Sequence, residues 1–166
     1  MKKLLIVSIM LLITSSLYAK DWIIREKGYT YKFNPEKKYF EYYSPRGRKI
    51  ANIYFFDNGP DYYSEGLRRT VRNNKIGFIN RKNIVVIRAE FDFAFPFRNG
   101  YALVIKDPVY EKMGEHTAVH GGKYGLVNRQ GRLVVPMKYD DISEWSYNTG
   151  KAVVYLKGKK ITLKIK

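Results

Sequence analysis

From residue 20 onward, apolar and polar residues alternate in short runs, and no stretch keeps a 3.6-residue apolar spacing over several turns. "GYTYKF" (28–33), "YFEYY" (39–43) and "KIANIYFF" (49–56) are rich in Tyr, Ile and Phe and are broken by turn residues. Alternation of this kind puts apolar side chains on one face of a strand, so each run is predicted to be a β-strand. Between the last two, "SPRG" (44–47) places Pro45 and Gly47 where a type I turn favours them. Further along, "TVRNNKIGFI", "AVHGGKYGLV" and "VYLKGKKITL" each set two turn-forming residues between β-rich runs. Asn73-Asn74, Gly121-Gly122 and Lys157-Gly158 are residues suited to the positive φ of a type I′ hairpin. The expectation is an all-β chain of tandem β-hairpins in a single β-rich domain, either an open array or a curled sheet. A short helical turn near 92–98 or 140–147 is the most helix the pattern allows.

The hairpins repeat. "NKIGFINRKNIVVIRAEFDFAFPFRNGYALV" (74–104) aligns with "GKYGLVNRQGRLVVPMKYDDISEWSYNTGKAVV" (122–154), given one two-residue insertion near Tyr147–Thr149. Lys75, Gly77, Asn80, Arg81, Asp92, Gly100 and Ala102 are matched by Lys123, Gly125, Asn128, Arg129, Asp140, Gly150 and Ala152. An earlier partial copy shows in 46–67, with Phe56-Asp57 and Gly66 at the corresponding places. A single hairpin buries too little to fold alone, so successive copies must share a core.

"GKYGLVNRQGRLVVPMKYDD" resembles the WG-repeat family of bacterial repeats, down to Pro136 and the Tyr139-Asp140 pair. In the other copy Asn83 and Arg88 stand where Gly and Pro are usual, and the family's Trp is Ile76 or Tyr124. The resemblance covers roughly 43 to 156 and implies a β-rich repeat array, with no catalytic residues to carry over. The chain divides into a leader (1–19), an N-terminal hairpin region (20–43) and a degenerate repeat (44–73). Then come a repeat (74–121) carrying an inserted loop at 105–121, a fuller repeat (122–156), and a basic capping strand (157–166).

The leader reads as a signal peptide, with Lys2 and Lys3, an apolar run from Leu4 to Ile13, and small polar residues at 14–16. The apolar run is half the roughly 20 residues that span a bilayer, so the mature chain is expected to have no transmembrane segment. Cleavage is expected after Ala19, although Leu17 is a poor residue at −3, and retention as an anchor is the alternative. The expected location is extracytoplasmic, in the periplasm or secreted. The chain has no cysteine, which excludes a lipoprotein anchor and disulfides.

A formal charge of +16 attracts anionic partners. An envelope protein or an acidic surface polymer fits an exported chain, an anionic membrane surface is admissible, and nucleic acid is disfavoured by location. Arg68, Arg69, Arg72 and Lys75, beside Tyr62 and Tyr63, form the densest basic stretch and the candidate ligand-binding face. Arg68 stands where the other copies have alanine. His116 and His120 are the sole histidines and the weak candidates for a metal site, hence for a small metal-dependent hydrolase. On a strand they would lie about 13 Å apart, with no third nitrogen or sulfur ligand to complete a site.

Gly121-Gly122-Lys123 does not make a phosphate loop, because Tyr124 replaces the Ser or Thr and a strand, not a helix, follows. Serines lack a nucleophile context, and the repeated Asp57, Asp92 and Asp140 read as hydrogen-bonding turn residues. The sequence therefore leads to a non-catalytic, cofactor-free, exported protein-binding or scaffold module. A binder of acidic glycan or lipid head groups is the alternative.

Overall fold

The computed structural model describes residues 22–114 and 116–165. The leader at 1–19, Glu115 and the side chain of His116 lie outside the described residues. The rest is all-β, with seventeen strands and no helix among the described residues. In the first sheet β1 (Ile23–Glu26), β2 (Tyr29–Asn34), β3 (Tyr39–Tyr43) and β4 (Lys49–Phe56) run antiparallel in chain order. A two-residue strand, β5 (Gly59–Pro60), folds back on β4, and β6 (Leu67–Arg72), β7 (Lys75–Asn80) and β8 (Val85–Phe91) complete the sheet. The second sheet orders β14 (Leu133–Tyr139), β13 (Lys123–Asn128), β10 (Tyr101–Lys106) and β9 (Phe93–Ala94). A projecting pair, β11 (Val109–Met113) with β12 (His116–His120), stands apart. The chain closes with β15 (Asp141–Ser146), β16 (Lys151–Leu156) and β17 (Lys159–Lys164). Each strand order has two ends, so the array is open. Where a helical turn was admissible, residues 93–94 and 141–146 are strand.

The turns explain the repeat. Asn73 and Asn74 have φ of 51° and 59°, and Lys157 and Gly158 have 51° and 74°, as two-residue type I′ hairpins require. Gly121-Gly122 is different from what the sequence led us to expect. Lys123 lies opposite Lys106 in the β10–β13 ladder, so the equivalent turn is Asp107 (φ 53°) with Gly122 (φ 71°). Between those two residues the hairpin Pro108–Gly121 has been spliced in, a length that equals the excess between Gly100 and Gly125 over Gly66 and Gly77. Ile105 and Lys106 belong to β10, not to the insertion.

One copy escaped the sequence reading. Lys27 (φ 49°) and Gly28 (φ 81°) turn β1 into β2. Gly28 precedes Asn34 by six residues, as Asn74 precedes Asn80 and Gly122 precedes Asn128. These asparagines organise the next turn: Asn80 Oδ1 accepts from the amides of Lys82 and Ile84, and Asn128 Oδ1 from those of Gln130 and Arg132. The residue that exits the turn is left-handed in both copies, Asn83 at 62° and Gly131 at 84°. Asn is the non-glycine residue that tolerates this conformation best, which is why it substitutes for Gly there.

Successive copies share cores through strands buried on both faces. On β10, Ala102 and Val104 enter one apolar cluster with Phe78, Phe97 and Val127, while Leu103 and Ile105 enter the next with Leu126, Val135 and Val154. An N-terminal cluster of Tyr31, Phe40, Tyr42, Ile53 and Ile79 precedes them. The repeated aspartate ties one copy to the next. Asp92 pairs with Lys75 and accepts the amide of Asp107 at 3.0 Å. Asp140 pairs with Lys123 at 2.6 Å and accepts the amide of Lys157 at 2.6 Å. The acceptor thus grips the first turn residue of the following copy, the hydrogen-bonding role expected of it. Asp57 departs from this: it sits in the β4–β5 turn with φ of 43°.

Candidate functional site

The structure divides the basic stretch instead of displaying it. Arg68 and Arg69 are adjacent on β6, so the pleat points them to opposite faces, and both are buried. Arg69 is held by Asp61, whose two oxygens accept from Nη2 at 2.7 Å and Nε at 3.0 Å; a further N–H reaches the carbonyl of Ala94. Arg68 lies between the rings of Tyr42 and Tyr63 and donates to the Tyr31 hydroxyl at 3.0 Å. Its Nε and Nη2 have no acceptor among the described residues. Arg72 and Lys75 are exposed, and Lys75 is engaged by Asp92. Tyr63 is half-buried in the Arg68 stack; Tyr62 is exposed beside a cleft of about 450 Å³ with Phe95, Pro96 and Trp145. The six residues therefore do not form one exposed cationic face. Alanine becomes arginine at position 68 because the core it meets is a tyrosine cluster, whose ring faces attract a guanidinium.

The histidines sit on the spliced hairpin. His116 is opposite Met113 and His120 opposite Val109. His120 Nε2 lies 3.0 Å from a Glu111 carboxylate oxygen. Among the described residues no three His, Cys, Asp or Glu are grouped to hold a metal ion. The hairpin leans on the body through Tyr110, whose ring meets the edge of Phe93 and whose hydroxyl donates to the Asp92 carbonyl at 3.4 Å. Its opposite face carries Val109 and Met113, 51% and 62% exposed.

A different region forms the larger concavity. The turns ending at Gly66, Gly100 and Gly150 recur once per copy, and they line up on one side of the array. There Glu65, Gly66, Asn99, Gly100, Tyr147 and Asn148 border an open groove of about 1110 Å³. Glu65 and Asn99, each left-handed before its glycine, begin two of these turns. The copies are laced together across them. Arg129 Nη2 donates to the Glu65 carbonyl at 2.7 Å, the Glu65 carboxylate accepts the Gly100 amide at 3.1 Å, and the Tyr147 amide donates to the Asn99 carbonyl at 3.0 Å. Tyr147 stands directly over Gly100, where a Cβ would come within 2.7 Å of its own Cβ, and remains 58% exposed. Arg132 is exposed on the same wall. None of the residues singled out for binding in the sequence lines this groove. The signal was the two-residue insertion at Tyr147–Thr149, which supplies its aromatic rim.

Residues 76–114 and 124–159 match the family model of the WG containing repeat. No curated protein and no solved structure matches the chain.

Proposed function

This chain belongs to the WG-repeat family, and on that premise we propose that it is an exported, non-catalytic interaction module that holds another envelope protein. The observation that carries the reading is the hairpin Pro108–Gly121, inserted into a turn that the neighbouring copies close with two residues. Its free face presents exposed Val109 and Met113 beside the Glu111–His120 pair. Both of its edges carry main-chain groups that a partner strand can pair with. Insertions in repeat arrays collect on the binding side because they leave the shared core intact. The leader pattern at 1–19 supports export. The repeated Asp92 and Asp140 serve as struts, which supports a scaffold in place of a catalytic centre.

The test is a photo-crosslinking residue placed at Met113 in the source cell, with Thr162 on β17 as the control position. Adducts of discrete mass are expected from Met113 and not from Thr162. They are expected to vanish when Pro108–Gly121 is excised. Equal labelling from both positions, or none from Met113, would sink the reading.

A further inference from the structure

We infer that the groove between the repeat turns binds a carboxylated saccharide. The inference is independent of the hairpin, which lies outside the groove lining.

Three properties of the lining point to this chemistry. First, the exposed charges at the groove are Arg129, Arg132 and Glu65, and Glu65 is already engaged by the Gly100 amide. The two guanidiniums therefore leave a cationic balance, on a chain whose formal charge is +16. A guanidinium offers a planar fork that fits a carboxylate, and the bond from Arg129 to the Glu65 carbonyl holds that side chain at the wall. Arg132 is exposed, and among the described residues it enters no ion pair.

Second, the Tyr147 ring is exposed at the rim, with its backbone fixed by Asn99 and the Tyr101 ring behind it at 6.2 Å. A rigid amphipathic ring gives contact area at low entropic cost, and the apolar face of a pyranose stacks on such a surface. Third, the walls present both polar and apolar side chains, with Val86 and Val134 in the lining beside Asn80, Asn128 and Gln130. Sugars likewise present both hydroxyl edges and C–H faces.

An acidic peptide shares the charge but not the fit. Peptides usually add to a sheet through a strand edge, using a row of main-chain groups. Here the lining comes from turns and strand ends of successive copies, and the edge strands β8 and β14 give only Val86 and Val134. A volume of about 1110 Å³ stands at the upper end of the usual small-ligand range of roughly 300–1,000 Å³, which makes a short oligosaccharide the probe of choice.

Titration calorimetry on the whole mature chain tests this with a short oligogalacturonate, a neutral glucan of equal length and a poly-glutamate peptide. Binding of the oligogalacturonate is expected, weakening as salt rises, with the neutral glucan bound at least about tenfold more weakly. Arg132→Gln and Tyr147→Ala should each reduce binding about tenfold or more, while the thermal melt stays at the wild-type position. Excision of Pro108–Gly121 should leave it unchanged, which separates this site from the hairpin. Equal binding of the neutral glucan, stronger binding of poly-glutamate, no binding at all, or indifference to Arg132→Gln would each overturn the inference.

Discussion

Arg68 and Arg69 occupy consecutive positions on one strand, yet their burial is compensated in opposite ways. Arg69 has a two-pronged carboxylate partner and a carbonyl, so removing it strands the Asp61 charge in a dry site. Arg68 has rings and one hydroxyl, with two nitrogens lacking acceptors. Arg69→Leu is therefore expected to cost about 3–5 kcal/mol, as breaking a buried pair does, whereas Arg68→Leu should be near neutral or stabilising. Urea unfolding of the two variants checks the contrast, and equal losses would refute it. The charge string could not reveal this difference. Tyr31 lies 37 residues from Arg68, and nothing local marks an arginine as interior. What was legible was the departure itself, an arginine where two other copies hold alanine.

At the scale of the strand pair, the glycine shared by Gly77 and Gly125 was visible in the repeat, but its reason was not. A Cβ on Gly77 would lie 2.5 Å from the Ile87 carbonyl oxygen, and one on Gly125 2.6 Å from that of Val135. Both positions sit at register shifts, where β8 and β14 close over their partners. The constraint is the approach of a neighbouring backbone, which cannot yield as a side-chain tip can. Gly77→Ala and Gly125→Ala should each destabilise by about 1–3 kcal/mol, the usual cost of overpacking. Chemical denaturation measures it, and a wild-type midpoint for both would refute the strand-closure account. The turn chemistry, by contrast, was largely readable, since paired residues that tolerate positive φ and a following Asn are local signals. Two errors share one cause. The Lys27-Gly28 copy keeps only its turn and Asn34, and the Gly121-Gly122 pair looks like a turn although its hairpin partner is β10. Strand pairing is decided by registers across the sheet, beyond the reach of a local pattern.

Across the whole molecule, the shared cores explain why one chain with no disulfide holds an open array together, and why the groove was illegible in any single copy. The groove exists only where equivalent turns stack, so it belongs to the arrangement of copies. The same arrangement makes stability depend on pH at both ends of the scale. Lys75 and the Asp107 amide hold the Asp92 carboxyl below its usual range; Lys123 and the Lys157 amide do the same for Asp140, and Lys49 with Tyr43 for Glu41. A carboxylate depressed in the folded state contributes stability that is present above its unfolded pKa of about 4 and is lost as pH falls through the folded value. On the alkaline side burial raises the phenols of Tyr42, Tyr54, Tyr63, Tyr101, Tyr110 and Tyr124, and the hydrogen bond to Glu41 pushes Tyr43 to about 12. These groups keep their protons longer when folded than the unfolded value of about 10. Their contribution is therefore complete below pH ~10 and disappears as pH rises through the folded values. Urea midpoints recorded across pH should form a plateau from about 5 to 9 with a fall on each side. The steeper fall is expected on the alkaline side, because seven raised tyrosines act there against three depressed carboxylates. Phenolate absorbance followed in the same samples should include a part that rises only together with unfolding; ionisation of these seven tyrosines near pH ~10 in the folded chain would contradict the account.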